Sequence, residues 1–216
     1  MKFTSACLFA VCVAASTPAL AEEDWNRIFL AEDPVVTRDG ASFYFTWNDH
    51  IWMAPTIGGV AKMVSSPTAR QLSPVLSSDG SRLAFQSDVD GAFRVYECPT
   101  AGGPVRQISF HSETTRPCCY TPDGKDLICL AWRDATGDNY SRLVRLPTLK
   151  RGPETELFNL PAFSPSLSPD GKRLLFVYGA GSKGAFRKRR HSTTTQKGEI
   201  WSYDFATGKF ACVIER

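Results

Sequence analysis

Three histidines, His50, His111 and His191, are the side chains best placed to move a proton near neutral pH, and a serine beside one of them would make a nucleophile. They stand far apart in the chain, each in or beside a turn. Nothing that such chemistry requires accompanies them: there is no Gly-x-Ser-x-Gly elbow, no His-Glu-x-x-His pair and no phosphate-binding glycine loop. The histidines are read as surface residues, and no catalytic residue is assigned. Asp88-Val89-Asp90-Gly91 offers two carboxylates of the kind that hold calcium, but the further oxygen ligands and the distal glutamate are missing. A hairpin turn accounts for it better, so no metal and no cofactor is expected.

Two other groups could act. The run Arg187, Lys188, Arg189 and Arg190, between Phe186 and His191, can hold an anionic ligand, a peptide carboxyl terminus or a neighbouring domain, or be a solvated loop between two strands. Five cysteines follow residue 21: Cys98, Cys118, Cys119, Cys129 and Cys212. They lack the paired spacing of a zinc site. If Thr121 pairs with Asp126 across a hairpin, Cys118 and Cys129 face each other and could form a disulfide. One extra residue in that segment, if it bulges, would break the register.

The elements that must carry these residues repeat. Asp33-Pro34-Val35-Val36-Thr37-Arg38-Asp39-Gly40, Ser73 to Gly80, Arg116 to Gly124 and Ser164 to Gly171 all run from a residue before proline to an Asp-Gly pair. The pairs Asp39-Gly40, Asp79-Gly80, Asp123-Gly124 and Asp170-Gly171 lie 40, 44 and 47 residues apart. Aspartate bonds its own backbone and glycine takes positive φ, so each pair reverses the chain into a hairpin. An apolar run follows every turn, as in Arg82-Leu83-Ala84-Phe85 and Arg173-Leu174-Leu175-Phe176-Val177-Tyr178. These runs suit strands covered on both faces. The next strand in each unit alternates, as in Phe93-Arg94-Val95-Tyr96-Glu97, and is expected to wet one face. A short fourth strand closes each unit, at 61–64, 105–109, 155–159 and 209–214.

That period matches a four-stranded blade. The fold class is therefore all-β, a β-propeller of four-stranded antiparallel blades at about residues 29–65, 70–109, 113–159 and 163–215. A β-sandwich also has many short strands, but it does not repeat one turn at a fixed step. Four blades suggest part of a larger, six-bladed ring, and an unfinished ring leaves a blade face open to self-association, a possible homo-oligomer.

Composition agrees with a globular protein: 216 residues, 43% hydrophobic and 22% charged, with a net charge of +3 that argues against a nucleic-acid partner. Residues 1–21 read as a secretory signal, with Lys2, the apolar stretch Ala6 to Ala15 and the small-residue site Ala19-Leu20-Ala21. Residues 22–216 would then be an exported propeller, periplasmic or secreted, with no membrane insertion because the apolar stretch is too short to span a bilayer.

Ser164-Pro165-Ser166-Leu167-Ser168-Pro169-Asp170-Gly171-Lys172-Arg173-Leu174-Leu175-Phe176 resembles the PD40 or TolB-type propeller repeat, a WD40-like unit. The basic, glycine-bearing stretch from Gly179 to Gly198, the strand Glu199-Ile200-Trp201-Ser202-Tyr203-Asp204 and the turn Thr207-Gly208-Lys209-Phe210 resemble the fourth blade of the N-terminal propeller of tricorn-like serine proteases of the S41 type. Phe43 to Trp52 resembles that family's opening blade. The resemblance implies a fragment of a larger protein, in which the propeller guides or docks peptides and a C-terminal domain cuts them. Its partners would be peptides, a protein partner or the remaining domains of the parent. The alternative is a periplasmic TolB-like propeller that binds other proteins.

Overall fold

A computed structural model describes residues 30–64, 68–132, 141–179 and 198–214. The expected signal at 1–21 and the basic run Arg187, Lys188, Arg189 and Arg190 lie outside the described residues. Among the described residues sixteen strands form four sheets, each a four-stranded antiparallel meander in chain order. The first blade contains β1 (Glu32–Val36), β2 (Ser42–Trp47), β3 (His50–Pro55) and β4 (Lys62–Met63). The second has β5 (Gln71–Leu76), β6 (Arg82–Ser87), β7 (Arg94–Pro99) and β8 (Arg106–Gln107). The third has β9 (Thr115–Tyr120), β10 (Asp126–Ala131), β11 (Arg142–Pro147) and β12 (Thr155–Phe158). The fourth has β13 (Ala162–Leu167), β14 (Arg173–Tyr178), β15 (Glu199–Asp204) and β16 (Phe210–Ile214). Among the described residues no helix is long and apolar enough to cross a membrane.

Three apolar cores lie between consecutive blades. Tyr44 and Ile51 meet Leu83, Phe85 and Tyr96; Ala84 and Val95 meet Tyr120, Leu127 and Cys129; Leu130 and Leu143 meet Ala162, Leu174 and Phe176. The first strands β1, β5, β9 and β13 form one edge of each sheet and contact one another in sequence, so they are the inner strands.

Burial of the second strands follows the stacking. Leu83 to Ser87 and Leu127 to Ala131 are buried on both faces, because a blade lies on either side. In β14 Leu174 and Phe176 are buried while Arg173 and Leu175 are exposed, since among the described residues no blade covers its other face. One third strand, β7, corrects the sequence expectation. Val95, Tyr96 and Glu97 are consecutive and all buried, so β7 wets neither face there. The fourth strands, such as β4 and β16, are wetter, and β1 of the first blade is exposed at alternate residues.

Consecutive turns also touch. The ring of Pro122 would lie 2.7 Å from a Cβ at Gly171 (φ +71°), whereas Gly40 (φ +70°) has open space around it. Alanine at Gly40 is expected to cost about 1–2 kcal/mol for the left-handed backbone. Alanine at Gly171 adds an overpacking penalty of about 1–3 kcal/mol against Pro122. Urea unfolding of the two variants would measure the difference, and equal losses would refute the contact.

Candidate functional site

All four Asp-Gly turns have one construction. In the first, Thr37 Oγ1 donates to Asp39 Oδ1 at 2.7 Å, Ala41 N donates to the same oxygen at 3.0 Å, and Ser42 N donates to Thr37 Oγ1 at 3.0 Å. Ser77 with Asp79, Thr121 with Asp123 and Ser168 with Asp170 repeat it. The Ser or Thr two residues before each aspartate was legible in the sequence as a fixed spacing, though the aspartate and glycine drew the attention. These hydroxyls, and then the backbone N–H groups, hold all four aspartates below the ordinary 3.8. A folded value below the unfolded one stabilises the fold above that unfolded value, and the benefit is lost as the pH falls. The urea midpoint is expected to drop from about pH 5 towards about pH 3, and to drop less once Ser77→Ala removes one donor. A midpoint indifferent to pH over that window would contradict this.

The proposed Cys118–Cys129 bridge is corrected by the register. Thr121 does pair with Asp126, its N–H reaching the Asp126 carbonyl at 2.9 Å. Cys119 then opposes Ile128 and Pro117 opposes Cys129, which leaves Cys118 as the bulged residue with no partner opposite. Neither thiol is in a disulfide among the described residues, and each lies near a carbonyl of its own strand, Cys118 near Arg116 O and Cys129 near Leu127 O. Burial pushes the Cys118 thiol up to about 12 and that of Cys119 to about 11, which keeps both protonated and unreactive at neutral pH. The Asp88-Val89-Asp90-Gly91 segment is the turn between β6 and β7. Asp88 accepts the Arg70 N–H at 3.0 Å and Asp90 accepts the Tyr96 hydroxyl at 2.6 Å. His50 and His111 sit in separate blades, and His191 lies outside the described residues.

The cleft that brings polar groups together lies on the inner strands of the first three blades. It has a volume of about 500 Å³ and is lined by Glu32, Asp33, Thr46, Ser73, Gln86 and Arg116, with Leu72 beside them. Its shape comes from the residue before proline in each repeat. Asp33, Ser73 and Ser164 take left-handed φ of 49°, 53° and 46°, and each lies in a bulge where two inner-strand residues oppose one on the neighbouring strand. Such backbone costs about 1–3 kcal/mol per residue and gathers at functional sites. In the third blade the bulge has moved to Cys118, so Arg116 stays extended and reaches across the second blade to the first. Arg116 Nη2 meets Asp33 Oδ1 at 2.8 Å, and Ser73 Oγ donates to Asp33 Oδ2 at 2.8 Å. Ser73 N donates to Thr46 Oγ1 at 3.1 Å. This clamp ties three consecutive blades. The sequence reading began each repeat on the residue before the proline but gave that residue no role.

A second polar cluster is buried between the second and third blades. Glu97, 4% exposed, accepts from Arg82 Nη1 at 3.2 Å and the Tyr120 hydroxyl at 2.7 Å on one oxygen, and from Arg106 Nη2 at 2.5 Å on the other. Burial first, and then the Glu97 carboxylate, push the Tyr120 hydroxyl far above its ordinary range. These three partners enclose the carboxylate, and its role is structural.

Four four-stranded meanders that stack through their faces, with their first strands turned to a common inner side, make this a β-propeller. Residues 30–216 match the family described as the Tricorn protease N-terminal beta propeller domain, and the chain belongs to that family. Tricorn protease homolog 1 of Streptomyces coelicolor is 31% identical over 159 residues, which cover 73% of this chain and 14% of that protein. Among solved structures, the putative TolB of Agrobacterium tumefaciens superposes with a TM-score of 0.69 at 16% identity, over 87% of this chain and 66% of its own. TolB of Acinetobacter baumannii gives 0.66 at 19% identity, over 85% and 43%. The chain thus spans a small part of its curated relative and less than two thirds of these two structures.

Proposed function

We propose that this chain is the non-catalytic propeller segment of an exported tricorn-like serine protease, guiding or docking peptides that another domain of the parent cleaves. The family match supports the parent, and the polar cleft on the inner strands supports the docking. Glu32, Asp33, Thr46, Ser73, Gln86 and Arg116 offer hydrogen-bond donors and acceptors where an extended chain could lie along the inner edges of the blades. The signal-like character of residues 1–21 supports export to the periplasm or beyond. Hydrolysis is assigned to none of the described side chains. The basic run 187–190 remains a second proposed contact for peptide or partner.

The likeness to two TolB structures favours an alternative, a propeller that binds folded proteins. Fluorescence anisotropy separates the two. The docking reading expects short, unstructured, fluorescein-labelled casein peptides to bind the 216-residue chain. They should be displaced by unlabelled unfolded casein but not by folded proteins. Failure of every unstructured peptide to bind would overturn it.

A further inference from the structure

We propose that the cleft formed by Glu32, Gln86 and Thr46 is a binding site for an organic cation, the ammonium or guanidinium of a peptide. The inference rests on the peptide-docking reading and adds what the peptide must carry.

Charge decides the sign of the ligand. The cleft holds two carboxylates, Glu32 and Asp33, and one guanidinium, Arg116. Both Asp33 oxygens are engaged, one by Arg116 and one by Ser73, so this pair is close to neutral. Glu32 is exposed and makes no hydrogen bond or ion pair with the described residues, which leaves the cleft one negative charge in excess. An anion entering here would meet Glu32 unshielded, and the guanidinium that could attract it is already bound to Asp33. A cation meets an unpaired carboxylate.

A second observation points to the same place. Gln86 is 6% exposed and lines the cleft, yet its carboxamide makes no hydrogen bond among the described residues. Its donor and acceptor are open to the cleft rather than sealed in the core, so they are free to bond a ligand group there. A carboxamide offers the same donor and acceptor as a peptide unit, and so suits the main chain beside a charged group. The Thr46 oxygen accepts from Ser73 N, which leaves its hydroxyl hydrogen to give. Gln86 lies opposite Leu72, next to the strained Ser73, and the Asp33–Arg116–Ser73 clamp fixes the walls. A cleft of about 500 Å³ has room for one side chain and its flanking peptide units.

The cation can come from a lysine or arginine side chain or from the α-ammonium at a peptide's N-terminus. Labelled serine–alanine peptides separate the two: one acetylated with an internal lysine, one with a free N-terminus and no lysine, and one acetylated with no lysine. The expected result is that at least one cationic peptide binds the full chain at least tenfold more tightly than the neutral one, the stronger of the two naming the source. Glu32→Gln should remove about tenfold of that affinity, and added salt should weaken it, as for a partly exposed charge pair. Gln86→Leu should weaken all three peptides. The thermal midpoint of Glu32→Gln should match the parent chain, because Glu32 has no partner to lose among the described residues. Equal affinity for all three peptides, or indifference to Glu32→Gln, would overturn the cation site while leaving peptide docking in place. Acetyl-lysine amide and alaninamide, titrated by NMR, cover the remaining case. If no peptide binds but one of these small cations does, and Glu32→Gln abolishes it, docking fails and the cation site stands. If neither binds, both fail.

Discussion

Replacing Glu97 by alanine is expected to lower the stability of the fold by about 3–5 kcal/mol, the cost of removing one partner from a buried ionic network. Glu97 lies on β7, but its partners come from two blades: Arg82 and Arg106 from the second, Tyr120 from the third. Arg82 continues the network, with Nη1 on Thr148 Oγ1 at 2.9 Å, Nη2 on the Gly124 carbonyl at 2.5 Å and its guanidinium 5.2 Å from the Tyr120 ring centre. Without the carboxylate, the guanidiniums of Arg82 and Arg106 lose the anion they share. Arg106, 47% exposed at its side chain, can turn to water; Arg82, at 20%, has far less freedom to do so. The loss should therefore fall mainly on Arg82. Glu97→Gln keeps the shape and one hydrogen bond to Tyr120, and should cost less. Glu97→Leu combined with Arg82→Met removes both charges at once, and should recover much of the loss that Glu97→Ala shows alone. Urea unfolding of the three variants makes the measurement. A loss below about 1 kcal/mol for Glu97→Ala would mean that the network is solvated and ties nothing.

That network shows where sequence reading stops. The Asp-Gly turns were legible because their chemistry is local: Thr37, Asp39 and Gly40 lie within one turn, and a Ser or Thr, an Asp and a Gly recur at that spacing in every blade. Strand positions were legible for the same reason, since the turns bound them. Glu97 was not, because Arg94-Val95-Tyr96-Glu97 reads as an alternating strand with its acid in water. It is buried by Tyr120 of the next blade, and no spacing within β7 records that. The cleft failed to show for a related reason. Asp33, Ser73 and Arg116 each precede a proline, but only the stacking of blades sets their side chains in one place. The third unit's extra residue was visible, and so was the threat it posed to the Cys118–Cys129 pairing. What it also does, moving the bulge to Cys118 so that Arg116 stays extended and reaches Asp33, depends on backbone geometry.

Phe176→Ala is expected to cost about 3–5 kcal/mol, while Leu175→Ala, one position earlier on β14, should cost about 0.5 kcal/mol or less. Phe176 is 1% exposed and packs with Leu174, Leu130 and Leu143 between the third and fourth blades. Its ring lies 5.0 Å from that of Phe158 and 6.3 Å from that of Phe210. Truncation leaves a cavity walled by residues from both blades, which rigid strands cannot close. Leu175 points the other way, to the uncovered face of the fourth blade, where Ile200 and Ile214 are exposed as well. Side chains alternate across a strand, so one residue separates a core position from a solvent position. Urea unfolding at low protein concentration gives both values. The comparison also tests self-association through that face. If a second copy covers it, Leu175→Ala will lower stability more as the concentration rises, while the cost of Phe176→Ala stays the same. Concentration-independent values for both variants would place Leu175 in water and rule out a dimer through the fourth blade.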